Sequence, residues 1–554
     1  MPDARAPAFR VTLGGALLGL IAAAFALHPA FVTGAPSRWS QPGGDLVAYY
    51  VGLQYFLHAP WHLPLFDLPM MGYPEGGSVI LNDAIPLGAL LSKLAHSLTG
   101  WSIVHLGWWM LLVYVLQGVM AVRLLRALGL RSAWAVWLIA SWAVLLYPFL
   151  ARVGHTALTS HFIVLWAFAL YFEAWRHRQW RAGEHTALTV VALLTQPYLF
   201  AMGLALQATT WVTLARHGHL RARDWRNLAV TAVGIAAILF VAGYGRVLAA
   251  PESMPSHGYG RYSWNPVTLV LPPDGYWGGL TQGVRRDATG GQYEGDSYMG
   301  FGPLAVLIAC LLMAPRRIAS AVRAHWLLLL VLLALALFAL SNHAFFASRS
   351  LFALGLPDWL QPVASTWRAS GRFIWPPLYM LLLAPAVLLL TDERVRLRRL
   401  ATGLVLLATV VHGIEGVVTL RSVWTFTSAA PPTLIDAAHM GDWIRSHERL
   451  WQYPSWFCGG LGTARYGGGG ANRELELQVL AARAGVPFNS IYMGRHLKDC
   501  LREQQWKRHP ALERGVLYVI DASAARAADL APLVRSGWCR DLVWGFACSR
   551  QPLP

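Results

Sequence analysis

The chain has 554 residues, of which 56% are hydrophobic and 13% are charged, and its formal net charge is +17. So few charged residues cannot cover a soluble surface, which excludes a soluble globular protein and predicts a polytopic α-helical membrane protein. The positive charge does not indicate a nucleic-acid partner, because the arginines cluster in short hydrophilic segments between apolar runs, as in cytoplasmic loops.

Apolar runs that could cross a bilayer recur along the chain, since a span needs roughly 20 apolar residues. The first run lacks a small-residue cleavage pattern, so we expect it to remain as a helix rather than to be removed as a signal peptide. The runs cover about Val11 to Thr33 and residues 103–125, 133–150, 158–175, 187–214, 228–248, 301–314, 326–340, 373–390 and 401–420.

The run at 187–214 contains Pro197, which lacks a backbone donor and clashes with the preceding helical turn. With the N-terminus inside, a single helix here would place the basic segment from Arg216 to Arg226 outside, against the positive-inside rule. Two short helices in a hairpin return that segment to the cytoplasm, provided that neighbouring protein shields the break. The sequence therefore predicts about eleven spans.

This topology places the loops at about 34–100, 250–299 and 343–372 on the extracytoplasmic side. Residues 1–420 then form a transmembrane domain. Residues 421–554 are predicted to be a soluble extracytoplasmic α/β domain, because short apolar runs such as "GVLYVIDA" alternate there with helical stretches.

Four of the five cysteines lie in this C-terminal region, at Cys458, Cys500, Cys539 and Cys548. In an oxidising compartment they allow two disulfides, with three possible connectivities. The segment "WCRDLVWGFACSR" is typical of two strands that bring its cysteines together, which favours Cys539 with Cys548 and Cys458 with Cys500. A zinc site is disfavoured, because no close CxxC spacing is present.

The first outer loop contains candidate carboxylates. Asp45 precedes "LVAYYVGLQYFL", an aromatic segment with a helical apolar period that is predicted to lie in the membrane interface. The carboxylate there either caps this helix or acts as a general base towards an attacking hydroxyl. The segment "YPEGGSVILNDAIPL" adds Glu75, Asn82 and Asp83, and a capping role is favoured for Asp83 because a helix is predicted to start there.

Arginines on the outer side depart from the positive-inside rule. Arg368 and Arg372 in "ASTWRASGRFIWPP" are four residues apart, so on a helix both could bind one anion, and guanidinium groups suit phosphate oxygens. Anchoring to lipid headgroups is the alternative. His155 and His161 lie at an outer helix boundary, where lone histidines are more often structural than catalytic.

The combination of an acid in the first outer loop, many spans and a C-terminal outer domain resembles the GT-C class of glycosyltransferases. Segments such as "GGDLVAYYVGLQYF", "QYEGDSYMGFGPL" and "RASGRFIWP" resemble a bacterial family of GT-C-like membrane proteins. The resemblance implies a catalytic role for Asp45 and a donor-phosphate site at Arg368 and Arg372. It also implies that Glu294 and Tyr298 line the cavity.

The resemblance further implies an inverting glycosyltransferase of the bacterial cytoplasmic (inner) membrane. Its partners would be a polyprenyl-phosphate sugar donor, an acceptor glycan, lipid or protein, and membrane lipids. A single aspartate instead of a DxD motif favours a metal-free mechanism without a cofactor. Two alternatives are a non-catalytic polysaccharide assembly factor and a lipid or sugar transporter or flippase. The transporter is disfavoured because the predicted spans are nearly free of ionisable residues.

Overall fold

The computed structural model describes residues 8–40, 44–245, 258–279, 283–430, 433–458, 469–494 and 499–553. Parts of the predicted outer loop at 250–299 therefore lie outside the described residues. Contacts between residues divide the chain into two compact units. The first unit contains Met1–His28, Trp109–Ile235 and Pro255–Thr427. The second unit contains Pro29–Trp108, Ala236–Met254 and Ser428–Pro554.

The first unit consists mainly of apolar helices. Helices that lie wholly or mostly in it are Ala8–Ala26, His105–Ala127, Ala133–Val144, Tyr147–Leu150, Phe162–His177, Ala182–Leu193, Pro197–Arg216, Ala222–Ala242, Phe301–Met313, Pro315–Ala324, Trp326–Leu340, Gln361–Thr366, Trp375–Leu390 and Val395–Ser428. The strands His343–Phe346 and Arg349–Ala353 form an antiparallel hairpin.

The chain is a polytopic helical membrane protein. Among the described residues, six helices are long and apolar enough to cross a membrane, and a bent helix pair at Phe301–Ala324 could make a seventh. Several predicted spans are shorter, such as Ala133–Val144 and Trp326–Leu340. The count of eleven spans therefore stays a prediction.

The predicted break at Pro197 is confirmed. One helix ends at Leu193, and the next begins at Pro197 and packs against it. Proline suits the first helical position because its missing N–H has no partner there. Gln196 caps the new helix, and its side-chain oxygen accepts a hydrogen bond from the Leu199 backbone N–H at 3.4 Å. The second helix has 20 residues, so it is a full-length helix rather than the half-length one that we expected.

Charged side chains connect three helix ends in the first unit. Arg123 donates two hydrogen bonds to Glu173, both at 2.8 Å, and also contacts Glu184 at 2.5 Å. Arg181 contacts Glu173 at 2.9 Å. The predicted topology assigns all of these helix ends to the cytoplasmic side.

The second unit contains a four-stranded mixed sheet. Its strands are ordered Arg449–Tyr453, Val516–Asp521, Gly545–Cys548 and Cys539–Asp541, with the first pair parallel and the others antiparallel. Helices in this unit are Pro29–Val32, Pro36–Trp39, Asp45–His58, Pro86–Thr99, Ala437–Arg445, Gly469–Ala484, Cys500–Arg508, Ala522–Ala525 and Ala531–Val534. Disulfides join Cys458 to Cys500 and Cys539 to Cys548, which is the pairing that the sequence favours.

Residues of the first outer loop belong to the same unit as the C-terminal sheet. Phe488 donates its backbone N–H to Met70 at 3.0 Å and accepts one from Gly72 at 2.9 Å. The Tyr55 hydroxyl donates to the Val486 carbonyl at 2.9 Å. These contacts cross the division at residue 420 on which the predicted domains were based.

The Asp45–His58 helix is not an interfacial helix, which corrects the sequence prediction. All residues from Val47 to Leu57 are buried within the second unit, so no apolar face remains for the membrane. The Pro86–Thr99 helix instead exposes apolar side chains, including Leu91 and Leu98. It is the helix of this loop that suits a membrane surface.

Candidate functional site

Asp45 is the first residue of the Asp45–His58 helix and is partly buried. The N-cap position belongs to Gly44, whose φ of 147° favours glycine, so Asp45 is not the capping residue. Asp45 accepts a hydrogen bond from the Tyr492 hydroxyl. A carboxylate in the first turn is also favoured by the helix dipole. The carboxylate is thus positioned by the helix and by Tyr492.

The other end of the same helix is held by Lys93. The Lys93 ammonium donates to the carbonyls of Phe56 at 2.9 Å and Ala59 at 2.8 Å, where the helix ends. It also lies 4.3 Å from the centre of the Phe56 ring, a cation–π contact. Burial lowers the pKa of Lys93 to about 8. A cation at a helix C-terminus stabilises the helix that carries Asp45.

Asn82 packs against the middle of this helix and donates to the Ala48 carbonyl at 3.0 Å. The approach requires Gly52, because a Cβ there would lie 1.5 Å from the Asn82 side chain. Asp83 and Glu75 lie in the same unit. Asp83 precedes a helix that begins at Pro86 with Ile85 as N-cap, so Asp83 does not cap it. Substrate binding by Asp83 and Glu75 stays a prediction.

A buried charged cluster lies in the first unit. Arg372 donates two hydrogen bonds to Glu294, at 3.0 and 2.9 Å. Arg152 donates to the same carboxylate at 2.7 Å. All three side chains are at most 10% exposed. Two guanidinium groups on one carboxylate leave an excess positive charge in this cluster.

The cluster keeps Glu294 ionised. Burial alone would raise its pKa, but the charges of Arg372 and Arg152 outweigh burial and hold the pKa of Glu294 below its usual range. Asp296 has a single arginine contact, with Arg286 at 2.8 Å, and burial raises the pKa of Asp296 despite it. Glu294 is therefore suited to orienting arginines and not to accepting a proton.

Arg368 and Arg372 do not share a helical turn, contrary to the expectation. The Gln361–Thr366 helix ends before Arg368, and a 3-10 helix begins at Ser370. Arg368 is exposed, whereas Arg372 is buried against Glu294. The phosphate site predicted for this pair required both arginines on one helical face, and the structure does not place them on one helix.

The two histidines have different surroundings. His161 is fully buried, its Nδ1 lies 2.9 Å from the Tyr379 hydroxyl, and its ring packs on Trp375 at 4.2 Å between centroids. His155 lies close enough to Glu294 for its charge to lower the pKa of that carboxyl further. His155 belongs to the charged cluster, and a role in substrate binding for either histidine stays a prediction.

Tyr298 binds a buried carboxylate that the sequence did not single out. Glu415, in the Val395–Ser428 helix, accepts from the Tyr298 hydroxyl at 2.5 Å and from Trp277 Nε1 at 2.9 Å. His412 is one turn earlier, with Nδ1 at 3.8 Å from Glu415. Glu415 is an exception to the expectation that the predicted spans are nearly free of ionisable residues, and its contact with Tyr298 connects this helix to the segment that carries Glu294.

Sequence reasoning missed four of these residues. Arg152 follows the predicted span at 133–150 on the outer side, so the rule that drew attention to Arg368 applies equally to Arg152. Glu415 is the acidic residue of the apolar run at 401–420. Lys93 and Tyr492 gave no signal, because their partners are backbone carbonyls and a distant carboxylate.

Within the part of the chain that the structure describes, no group of three or more histidine, cysteine, aspartate or glutamate side chains could hold a metal ion. Of the predicted site residues, Asp45, Glu75 and Asp83 belong to the second unit. The remaining ones, from His155 to Arg372, belong to the first. Only Glu294, Arg372 and His155 are brought together within one cluster.

A family model described as "Domain of unknown function (DUF6311)" matches residues 16–414. A second model, "DUF6311 C-terminal domain", matches residues 440–548. None of the curated proteins matches the chain.

Solved structures similar to this chain include an oligosaccharyltransferase from Archaeoglobus fulgidus in complex with Zn and sulfate. That match has 14% identity and a TM-score of 0.48, and it covers 97% of this chain and 73% of the other. The same organism's AglB, in complex with an inhibitory peptide and a dolichol-phosphate, has 10% identity and a TM-score of 0.45, with 98% and 74% covered. ArnT from Cupriavidus metallidurans, bound to undecaprenyl phosphate, has 13% identity and a TM-score of 0.39, with 98% and 97% covered.

These neighbours are proteins of the GT-C class that the sequence resembles. With TM-scores below 0.5, they assign neither a donor, nor an acceptor, nor a catalytic residue to this chain.

Proposed function

The chain belongs to the DUF6311 family, and we propose that it is a membrane glycosyltransferase that uses a polyprenyl-phosphate-linked sugar donor. The acceptor is a glycan, lipid or protein on the extracytoplasmic face. The transfer inverts the anomeric carbon.

The observation that carries this proposal is the buried cluster of Arg152, Glu294 and Arg372. Its excess positive charge favours an anion, and a phosphate can accept several hydrogen bonds from guanidinium groups. The Nε atom of Arg152 is buried and has no hydrogen-bond partner among the described residues. A buried donor of this kind is costly unless a ligand satisfies it. The cluster therefore suits the phosphate of a lipid-linked donor.

In the proposed reaction, Asp45 takes the proton of the acceptor hydroxyl as general base. The hydroxyl oxygen forms a bond to the anomeric carbon while the bond from that carbon to the phosphate oxygen breaks. The electron pair leaves with the lipid phosphate. Positive charge at the phosphate stabilises the negative charge that develops there, the kind of electrostatic assistance that usually contributes most to catalysis.

The experiment is complementation of a deletion strain with wild-type protein or with Asp45→Asn, at matched membrane levels. Surface glycans and polyprenyl-linked sugars are then compared. We expect wild type to restore a missing sugar and Asp45→Asn to leave the lipid-linked donor accumulating. Asp442→Asn is the matched control, because Asp442 is an exposed carboxylate of the same unit that contacts Arg445.

Equal restoration by wild type and Asp45→Asn would show that Asp45 is not the base. A non-catalytic assembly factor would then be the better description, because a scaffold keeps its fold without this carboxylate.

A further inference from the structure

The Pro315–Ala324 helix has the properties of a helix that lies on a membrane surface. It follows the apolar Phe301–Met313 helix after a single residue, and the two axes differ by 94°. None of its 10 residues is buried. If Phe301–Met313 enters the bilayer, a helix at a right angle to it runs along the surface.

The two faces of this helix differ in chemistry. Ile318 and Val322 are four residues apart and share one face, whereas Arg316 and Arg323 are seven apart and share the opposite face. Val322 is 44% exposed, so the protein leaves this apolar face open. Trp326, directly after the helix, is also exposed, as tryptophans at membrane interfaces often are. The apolar face suits the acyl boundary, and the arginines suit lipid headgroups.

A cleft of about 620 Å³ adjoins this helix, within the range of roughly 300–1,000 Å³ that is usual for a small-ligand site. It lies between residues 312–317 and residues 391–394. Its charged lining residues are Arg316, Arg317, Asp392, Glu393 and Arg394. Three guanidinium groups against two carboxylates give the cleft an excess positive charge.

Most of these charges already have partners. Asp392 accepts from Arg394 Nε at 3.0 Å and lies 3.8 Å from Arg317. Arg317 also donates to the Leu388 carbonyl at 2.6 Å, at the end of the Trp375–Leu390 helix. Arg316 is exposed and forms no ion pair with any residue that the structure describes. Arg316 is therefore available to a ligand.

We propose that this cleft binds the phosphodiester headgroup of an anionic phospholipid. Arg316 contacts the phosphate, and the face formed by Ile318 and Val322 lies among the acyl chains. A zwitterionic headgroup fits less well, because its ammonium would meet an excess of guanidinium groups. The site is independent of the proposed transferase reaction, since it contains none of the residues to which that reaction was assigned.

The test uses the purified full-length chain and native mass spectrometry, with phosphatidylglycerol and phosphatidylethanolamine titrated separately. The variant is Arg316→Gln. Its matched control is Arg323→Gln, which removes the same charge from the same helix outside the cleft. We expect phosphatidylglycerol to bind more tightly than phosphatidylethanolamine, and Arg316→Gln to weaken its binding about fivefold, the effect of one basic residue near an anionic surface.

Equal binding of the two lipids would overturn the anionic preference. An equal loss in both variants would overturn the specific site and leave only general surface charge. Inorganic phosphate is added as a competitor, and displacement of the lipid by millimolar phosphate would identify a free-anion site instead. Elution profiles and unfolding temperatures show that both variants are folded.

Placement on the membrane is measured by maleimide labelling in proteoliposomes. Val322→Cys should react slowly because its side chain is buried in lipid, whereas Ser320→Cys on the arginine face should react quickly. Cys310 is buried and the other described cysteines are in disulfides, so background labelling is low. Equal rates for the two variants would contradict a surface-lying helix.

Discussion

Arg152, Glu294 and Arg372 in the first unit neutralise one another only in part, whereas Lys93 in the second unit is held by backbone carbonyls. Carbonyl oxygens satisfy the hydrogen-bond donors of Lys93 without cancelling its charge. In the first unit, opposite charges cancel in part and leave an excess that can attract an anion. The charge of the cluster in the first unit therefore depends on each of its three side chains. The contacts of Lys93 depend mainly on the backbone at the end of one helix.

The largest effect is expected for Arg372→Gln, which removes the bidentate partner of Glu294. Breaking a buried charge pair costs up to about 3–5 kcal/mol, and here we expect a smaller loss of stability, because Glu294 keeps its hydrogen bond from Arg152. Sugar transfer should fall sharply and the unfolding temperature should decrease, as measured by glycan analysis and thermal unfolding. Arg368→Gln is the exposed control and should leave both unchanged.

The double variant Glu294→Gln with Arg372→Gln sharpens this test. Removing both partners should recover part of the lost stability and the net charge of the cluster, but not the transfer, because one of the two guanidinium groups that bind the phosphate is still missing. A full recovery of transfer would contradict the phosphate role of the cluster.

Lys93→Met should lower the stability of the second unit by roughly 1.5–3 kcal/mol, the usual contribution of hydrogen bonds from a charged group. The pKa of Lys93 is about 8 when folded and 10.5 in the reference state. The folded state therefore loses its proton before the unfolded state does. The stability of wild type relative to Lys93→Met should rise between about pH 8 and pH 10.

Thermal unfolding of both proteins at pH 7.5 and pH 9.5 measures this difference. A constant difference between the two pH values would show that Lys93 titrates alike in the folded and unfolded chain.

Glu415→Gln should have a smaller effect, about 1 kcal/mol, because the amide oxygen can still accept from Trp277 and Tyr298. Glu415→Leu removes both acceptors and should loosen the loop at 283–299. Limited proteolysis measures the mobility of this loop. We expect Glu415→Leu to be cleaved faster than wild type and Glu415→Gln to be cleaved at about the wild-type rate. Equal cleavage of all three proteins would show that Glu415 does not anchor the loop.

Tyr492→Phe should have the smallest effect, since it removes one hydrogen bond to Asp45. A loss of about 1 kcal/mol corresponds to roughly a fivefold lower rate of transfer. Tyr453→Phe is the control in the same unit. If Tyr492→Phe transfers the sugar at the wild-type rate, Tyr492 does not contribute to positioning Asp45.

Local chemistry made part of this structure predictable from sequence. Pro197 fixes its own φ and lacks an N–H, so the helix break follows from one residue. The Cys539–Cys548 pairing follows from two short strands joined by a tight turn. The resemblance to GT-C proteins was also carried by short contiguous segments of the sequence, which need no long-range contact to be recognised.

Long-range contacts could not be predicted in this way. Arg152 and Glu294 are separated by 142 positions, and nothing in the sequence of either segment indicates a contact with the other. The Asp45–His58 helix looked interfacial because its aromatic content was visible, whereas the chain that covers it, including Val486, lies more than 400 residues later. Periodicity shows that a face is apolar, but it does not show what covers that face.

The composition of the second unit has a consequence for synthesis. Residues 29–108 are translated well before the sheet at 449–548 that belongs to the same unit. At ~5–20 residues per second, the intervening chain takes on the order of tens of seconds to translate. During that time the Asp45–His58 helix lacks the contacts that the C-terminal residues, such as Val486, make with it in the complete unit.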